Sequence, residues 1–75
     1  MTVLRVPSLG KIEGDIVLSQ WLVDEGAAVQ EGDEVVELET SKVVFSVESP
    51  FAGFLSHEKT EGSTVLIGER LGSFT

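Results

Sequence analysis

Few side chains in this 75-residue sequence could carry chemistry, and most of them stand alone. There is no cysteine, so the chain has no thiol nucleophile, no disulfide and no thiolate metal ligand. Redox chemistry would have to come from something attached to the protein. His57 is the single histidine, and with no second His or Cys beside it a metal site is not expected. Ser, His and Asp all occur, but no motif assembles them. Glu37 and Glu39 lie two apart on one strand face and read as a solvated, mutually repelling pair. None of the eight glycines forms Gly-x-Gly-x-x-Gly or precedes a Lys-Ser/Thr helix start, so no phosphate loop is present. Lys11 and Lys59 read as ordinary solvated lysines. Lys42 is different. It stands ten residues after Gly32 and eleven before Gly53, in the segment Thr40-Ser41-Lys42-Val43 that joins the two most strand-like runs. A tight turn between paired strands projects its central side chains away from the body. Lys42 is therefore expected to be the most accessible amine of the molecule, held on a rigid stalk.

The elements that must position it are strands. Val3–Val6 is stopped by Pro7, and a loop follows to Glu13. Ile16–Val23 reads as a long strand or a strand with a bend. The clusters Asp24-Glu25-Gly26 and Glu31-Gly32-Asp33 are turns on either side of Ala28-Val29. Over Glu34–Thr40, Val36, Leu38 and Thr40 are expected on one face and Val35, Glu37 and Glu39 on the other. After the break at Ser41-Lys42, Val43, Phe45 and Val47 alternate with Val44, Ser46 and Glu48. Further strands are expected at Gly53–Lys59, Val65-Leu66 and Leu71–Phe74. Trp21 reads as a packing residue at the edge of the core.

Composition agrees with this reading. Val, Ile and Thr number 19 of 75 residues and Ala only 3, which favours pleated sheet over helix. The hydrophobic fraction of 41% is enough for a compact core. No stretch approaches the roughly 20 apolar residues of a membrane-spanning helix, and no secretory or transit-like segment is recognisable. Thirteen acids against five bases give a net charge of −8, which argues against nucleic-acid or anionic-membrane partners.

An internal repeat organises the chain. Gly26-x-x-Val29-x-x-Gly32-x-x-Val35-x-x-Leu38 recurs as Gly62-x-x-Val65-x-x-Gly68-x-x-Leu71-x-x-Phe74, a constant offset of 36 residues at five positions. Gly14 and Gly53 read as a further equivalent pair, which would put three extra residues around Ser19-Gln20-Trp21. Two similar half-units, about 3–40 and 43–75, each expose an apolar face and bury it against the other. The expected fold is all-β: one domain spanning 1–75, a quasi-two-fold flattened barrel or sandwich of two antiparallel sheets of about four short strands each.

With those residues in view, the sequence resembles the biotinyl/lipoyl-attachment family, and within it the lipoyl domains of 2-oxo acid dehydrogenase complexes. The resemblance is carried by Trp21, Glu25-Gly26, Val29, Gly32-Asp33, Glu39-Thr40-Ser41-Lys42, Ser49-Pro50-Phe51-Ala52-Gly53, Gly62, Val65 and Gly68. It implies that lipoic acid is joined by an amide bond to Lys42, with Glu39, Thr40, Ser41 and Val43 forming the attachment turn that a lipoate ligase or lipoyl transferase recognises. It also implies a non-catalytic carrier. Such a domain serves a thiamin-dependent 2-oxo acid decarboxylase, an acyltransferase core and dihydrolipoamide dehydrogenase, in the bacterial cytoplasm or mitochondrial matrix, and is monomeric by itself. Biotin carriers typically present Met-Lys-Met; the flanking Ser41 and Val43, with Glu39 upstream, favour lipoyl. A biotin carrier, or an unmodified adaptor of the same fold, are the alternatives. Two departures from the family stand out. Ser41-Lys42-Val43 replaces the usual Asp-Lys-Ala. The loop containing Gly10, Lys11, Ile12 and Glu13, which in the family aids recognition by the decarboxylase, is shorter than usual and has Lys11 where Glu is common.

Overall fold

A computed structural model describes residues 2–8, 10–11 and 14–75. Its strands are β1 (Thr2–Arg5), β2 (Ile16–Trp21), β3 (Ala27–Val29), β4 (Glu34–Glu39), β5 (Val44–Glu48), β6 (Gly53–His57), β7 (Thr64–Val65) and β8 (Arg70–Phe74). They form two four-stranded antiparallel sheets, ordered β1-β8-β6-β3 and β5-β4-β2-β7. The all-β sandwich expected from the sequence is what forms. Alternation along each strand sends Leu18, Leu38, Leu55 and Leu71 between the sheets, where they are fully buried beside Leu4, Val29, Val36 and Val65.

The repeat is a two-fold relation between the sheets. Exchanging β1 with β5, β2 with β6, β3 with β7 and β4 with β8 turns one strand order into the other. Turn hydrogen bonds repeat with it. Gly26 N–H donates to Leu55 O at 2.7 Å, and Gly62 N–H donates to Leu18 O at 2.8 Å. Gly32 N–H donates to Ser49 O at 2.8 Å, and Gly68 N–H to Val6 O at 2.9 Å. Carboxylates follow the same rule: Glu25 accepts from His57 N–H at 2.6 Å, while Glu61 accepts from Trp21 N–H at 2.9 Å. Trp21 and His57 thus occupy equivalent positions, and their rings stack across the relation with centroids 3.9 Å apart and planes 4° from parallel. Trp21 Nε1–H donates to Lys59 O at 2.9 Å, which satisfies the polar end of this half-buried ring.

Three expectations need correction. Gly14 is not the counterpart of Gly53. Gly53 pairs with Val29 and Ile16 pairs with Val65, so Ile16 is the equivalent residue. The extra length in β2 is one residue, Ser19, left out of the register where pairing shifts between Leu18 and Gln20. Val35 does not share an outer face with Glu37 and Glu39. A second register shift, between Glu34 and Val36, lets both Val35 and Val36 face inward and become fully buried.

Candidate functional site

The turn between β4 and β5 is built by a hydroxyl. Glu39 and Val44 form the last ladder pair, and Thr40 N–H donates to Val43 O at 2.8 Å. Two-residue hairpins usually close in primed turns that need left-handed residues, but no non-glycine residue among those described has positive φ. Here Thr40 Oγ1 substitutes as the acceptor, taking Lys42 N–H at 3.3 Å and Val43 N–H at 3.2 Å. The two central residues, Ser41 and Lys42, are left exposed at the apex.

The stalk below is firm on one face and acidic on the other. Leu38 is fully buried, and Phe45, its cross-strand partner, packs against the core. Glu37 accepts from Gln20 Nε2–H, and Glu34 accepts from Ser46 Oγ–H at 2.7 Å. Glu39 is exposed at the base of the turn. Val43 and Val44 are 55% and 56% exposed, so the lysine rises from an apolar collar on an otherwise acidic hairpin. Nine of the thirteen acids precede Lys42, three of them on β4.

Gly14, which precedes β2, comes close to this turn. A Cβ on Gly14 would lie 3.8 Å from Ser41 Oγ, so Gly14 sits alongside the apex. Gly10 and Lys11 are exposed; Ile12 and Glu13 lie outside the described residues. Two apolar features were not anticipated from the sequence. Alternation along the strand gives Val44 no special place, although an end-of-strand valine beside a projecting turn has little to pack against. Leu66 and Ile67, 71% and 47% exposed, follow β7 where the first half has Gln30 and Glu31; comparing the halves position by position would have found them. Among the described residues no group of three or more His, Asp or Glu side chains is placed to hold a metal ion, and no helix is long and apolar enough to cross a membrane.

A sandwich with this symmetry, and an exposed lysine at the turn that relates its halves, invites comparison with known proteins. A family model described as "Biotin-requiring enzyme", for biotin and lipoyl attachment, matches residues 2–74. The chain belongs to the biotinyl/lipoyl-attachment family. Among solved structures, the lipoyl domain of the 2-oxoglutarate dehydrogenase complex from Azotobacter vinelandii aligns with a TM-score of 0.76 and 33% identity, covering 100% of this chain and 96% of that one. Two curated relatives are dihydrolipoyllysine-residue succinyltransferase components of 2-oxoglutarate dehydrogenase complexes. The protein from Bartonella vinsonii subsp. berkhoffii is 40% identical over 73 residues, covering 96% of this chain and 18% of its own length. The protein from Bacillus subtilis is 33% identical over 76 residues, covering 100% and 18%. The chain therefore spans less than a fifth of these relatives. Within the family it is a lipoyl-type carrier domain, and the biotin alternative is not favoured.

Proposed function

We propose that Lys42 carries lipoic acid in amide linkage and that residues 1–75 act as one non-catalytic carrier unit of a 2-oxo acid dehydrogenase-type complex. The supporting observation is the hairpin apex: an exposed lysine whose backbone N–H and that of Val43 are both fixed by Thr40 Oγ1. The residues fit an acylated lysine. Acylation removes the ammonium charge, and the exposed Val43 and Val44 leave an apolar base for an uncharged arm. Lipoic acid so attached would supply a ring disulfide able to take up an acyl group together with reducing equivalents. The chain's own part is positional. Thr40 fixes the direction in which Lys42 leaves the body, and the β4–β5 ladder keeps that direction rigid. A tether to the rest of the complex then makes each encounter effectively intramolecular.

Lipoate ligase or lipoyl transferase would read Glu39, Thr40, Ser41 and Val43 around the target lysine. The loop 10–13, followed in the chain by Gly14 beside Ser41, is the proposed contact for the thiamin-dependent decarboxylase. The acyltransferase core and dihydrolipoamide dehydrogenase are the other proposed partners. The test is acyl transfer to the lipoylated domain from purified 2-oxo acid decarboxylases supplied with their 2-oxo acids, read by intact mass. One decarboxylase should add its acyl mass to the wild-type domain and none to Lys42→Arg. A fully lipoylated domain that no decarboxylase acylates, while a control lipoyl domain is acylated, would contradict the carrier reading.

A further inference from the structure

The correspondence between the halves changes character at one exposed place. Gln30 and Glu31, in the turn after β3, correspond to Leu66 and Ile67 in the turn after β7. These two apolar side chains are the wall of a groove. Val65 and Ile16 are the last ladder pair of β7 and β2; beyond them the two chains part. Residues 14–16 on one side and 65–67 on the other enclose about 230 Å³. Ile16 and Val65, both buried, form its inner end, and Asp15 is the one charged side chain among the described residues that line it.

The groove opens at the Lys42 end of the molecule. Val17 pairs with Glu39, so the antiparallel chain directions carry Ile16, Asp15 and Gly14 past Thr40 and Ser41. Gly14 is a wall of the groove and also the neighbour of Ser41 Oγ. With β2 between β4 and β7, the groove lies about two strand spacings, roughly 10 Å, from the strand that carries the turn.

We propose that this groove is a resting dock for the apolar tail of the arm on Lys42. The inference rests on the lipoyl reading above and adds a site to it. The tail of a lipoyl-lysine is uncharged, made of methylenes and a sulfur ring, and is tethered within reach of the groove. Apolar tail and apolar wall both leave water on docking. The tether raises the local concentration of the tail far above that of any free ligand. A strongly acidic chain makes an uncharged occupant easier to accept beside Asp15 than an acidic one. The groove is shallow and open, so docking is reversible and a partner enzyme can draw the tail away.

The experiment compares unlipoylated and lipoylated domain, labelled at Ile, Leu and Val methyls, by NMR, with loading established by intact mass. Lipoylation should shift the methyls of Ile16, Val65, Leu66 and Ile67, and should give through-space contacts from them to the tail. The double variant Leu66→Gln, Ile67→Glu installs the residues of the other half at exposed positions. It should lipoylate fully, keep the remaining methyl spectrum and lose those contacts. A fully loaded wild-type domain whose changes stay within residues 40–44 would overturn the dock while leaving the carrier reading intact. The same groove shifts appearing in unlipoylated protein as its concentration rises would assign the groove to a second copy and also overturn it. No lipoyl mass increment under conditions that load a control domain would instead contradict the carrier reading, and the dock with it.

Discussion

The half of the chain before Lys42 and the half after it build the same scaffold and decorate it differently. Equivalent leucines, Leu18 and Leu55, are both fully buried, and equivalent turns are closed by the same glycine N–H bonds. The halves diverge where function is proposed. Pro7 and Pro50 are equivalent by register, yet eight residues separate Pro7 from Ile16 and only two separate Pro50 from Gly53. In the second half that short link puts Phe51 edge-on against Phe74, with ring centroids 5.6 Å apart. In the first half Gly14, after the longer link, lies beside Ser41 of the Lys42 turn. Charge is divided as well. Lys59 pairs with Glu69 at 2.7 Å and Arg70 with Glu58 at 2.8 Å, both in the second half. Their counterparts in the first half are Val23 with Asp33 and Glu34 with Leu22, leaving the acids of that half without these cations. The two halves repeat the core, and the departures from the repeat fall where contacts with partners are proposed.

The comparison can be broken most strongly in the core. Leu18→Ala and Leu55→Ala should each cost about 2–5 kcal/mol in chemical denaturation, and by similar amounts, because each removes the same buried side chain from an equivalent layer. A large inequality would show that the halves do not share the load. Gly72→Ala comes next. Its equivalent is Val36 by register, but a Cβ at Gly72 would collide with Ser56 O and lie 3.2 Å from Leu55 Cδ1. Strand β8 would have to move, at roughly 1–3 kcal/mol or more. Thr40→Val should cost less, about 0.5–1.5 kcal/mol, by removing the acceptor of the Lys42 and Val43 N–H groups. Its signature is faster amide exchange confined to residues 42 and 43.

The smallest effect concerns pH. The His57 N–H bonded to Glu25 holds that carboxyl below the ordinary glutamate range. The Arg70 guanidinium does the same for Glu58, and the Lys59 ammonium, aided by Leu66 N–H, for Glu69. A carboxylate whose pKa is lower folded than unfolded stabilises the fold above the unfolded value and loses that contribution as pH falls through the folded one. The melting temperature should therefore fall below the ordinary glutamate range. The triple variant with Glu25, Glu58 and Glu69 each changed to Gln should flatten that acid limb slightly, since all three groups are solvent-screened.

Much of this was legible in the sequence because the signals were redundant. Period-two alternation, the 36-residue offset and the position of Lys42 all pointed to the same sandwich and turn. What stayed hidden depends on register. A bulge such as that at Ser19 changes which residues are equivalent without altering composition, so glycine identity alone pairs Gly14 with Gly53 where register pairs Ile16 with it. Val35 was misplaced for the same reason: alternation has no sign of a register shift until the partner strand is present. The role of Thr40 was legible only as part of a motif, since the bonds from Lys42 and Val43 N–H depend on a backbone conformation the residue types do not dictate. The exposure of Leu66 and Ile67 was hidden by reading Leu66 as a strand residue, whereas pairing stops at Val65.

The most direct measurement is the intact mass of the protein made in a host supplied with both lipoate and biotin, followed by peptide mapping. A single lipoyl increment on Lys42, with Lys11 and Lys59 unmodified, is the result expected. A biotin increment, or an unmodified Lys42 where a control lipoyl domain is fully loaded, would contradict it.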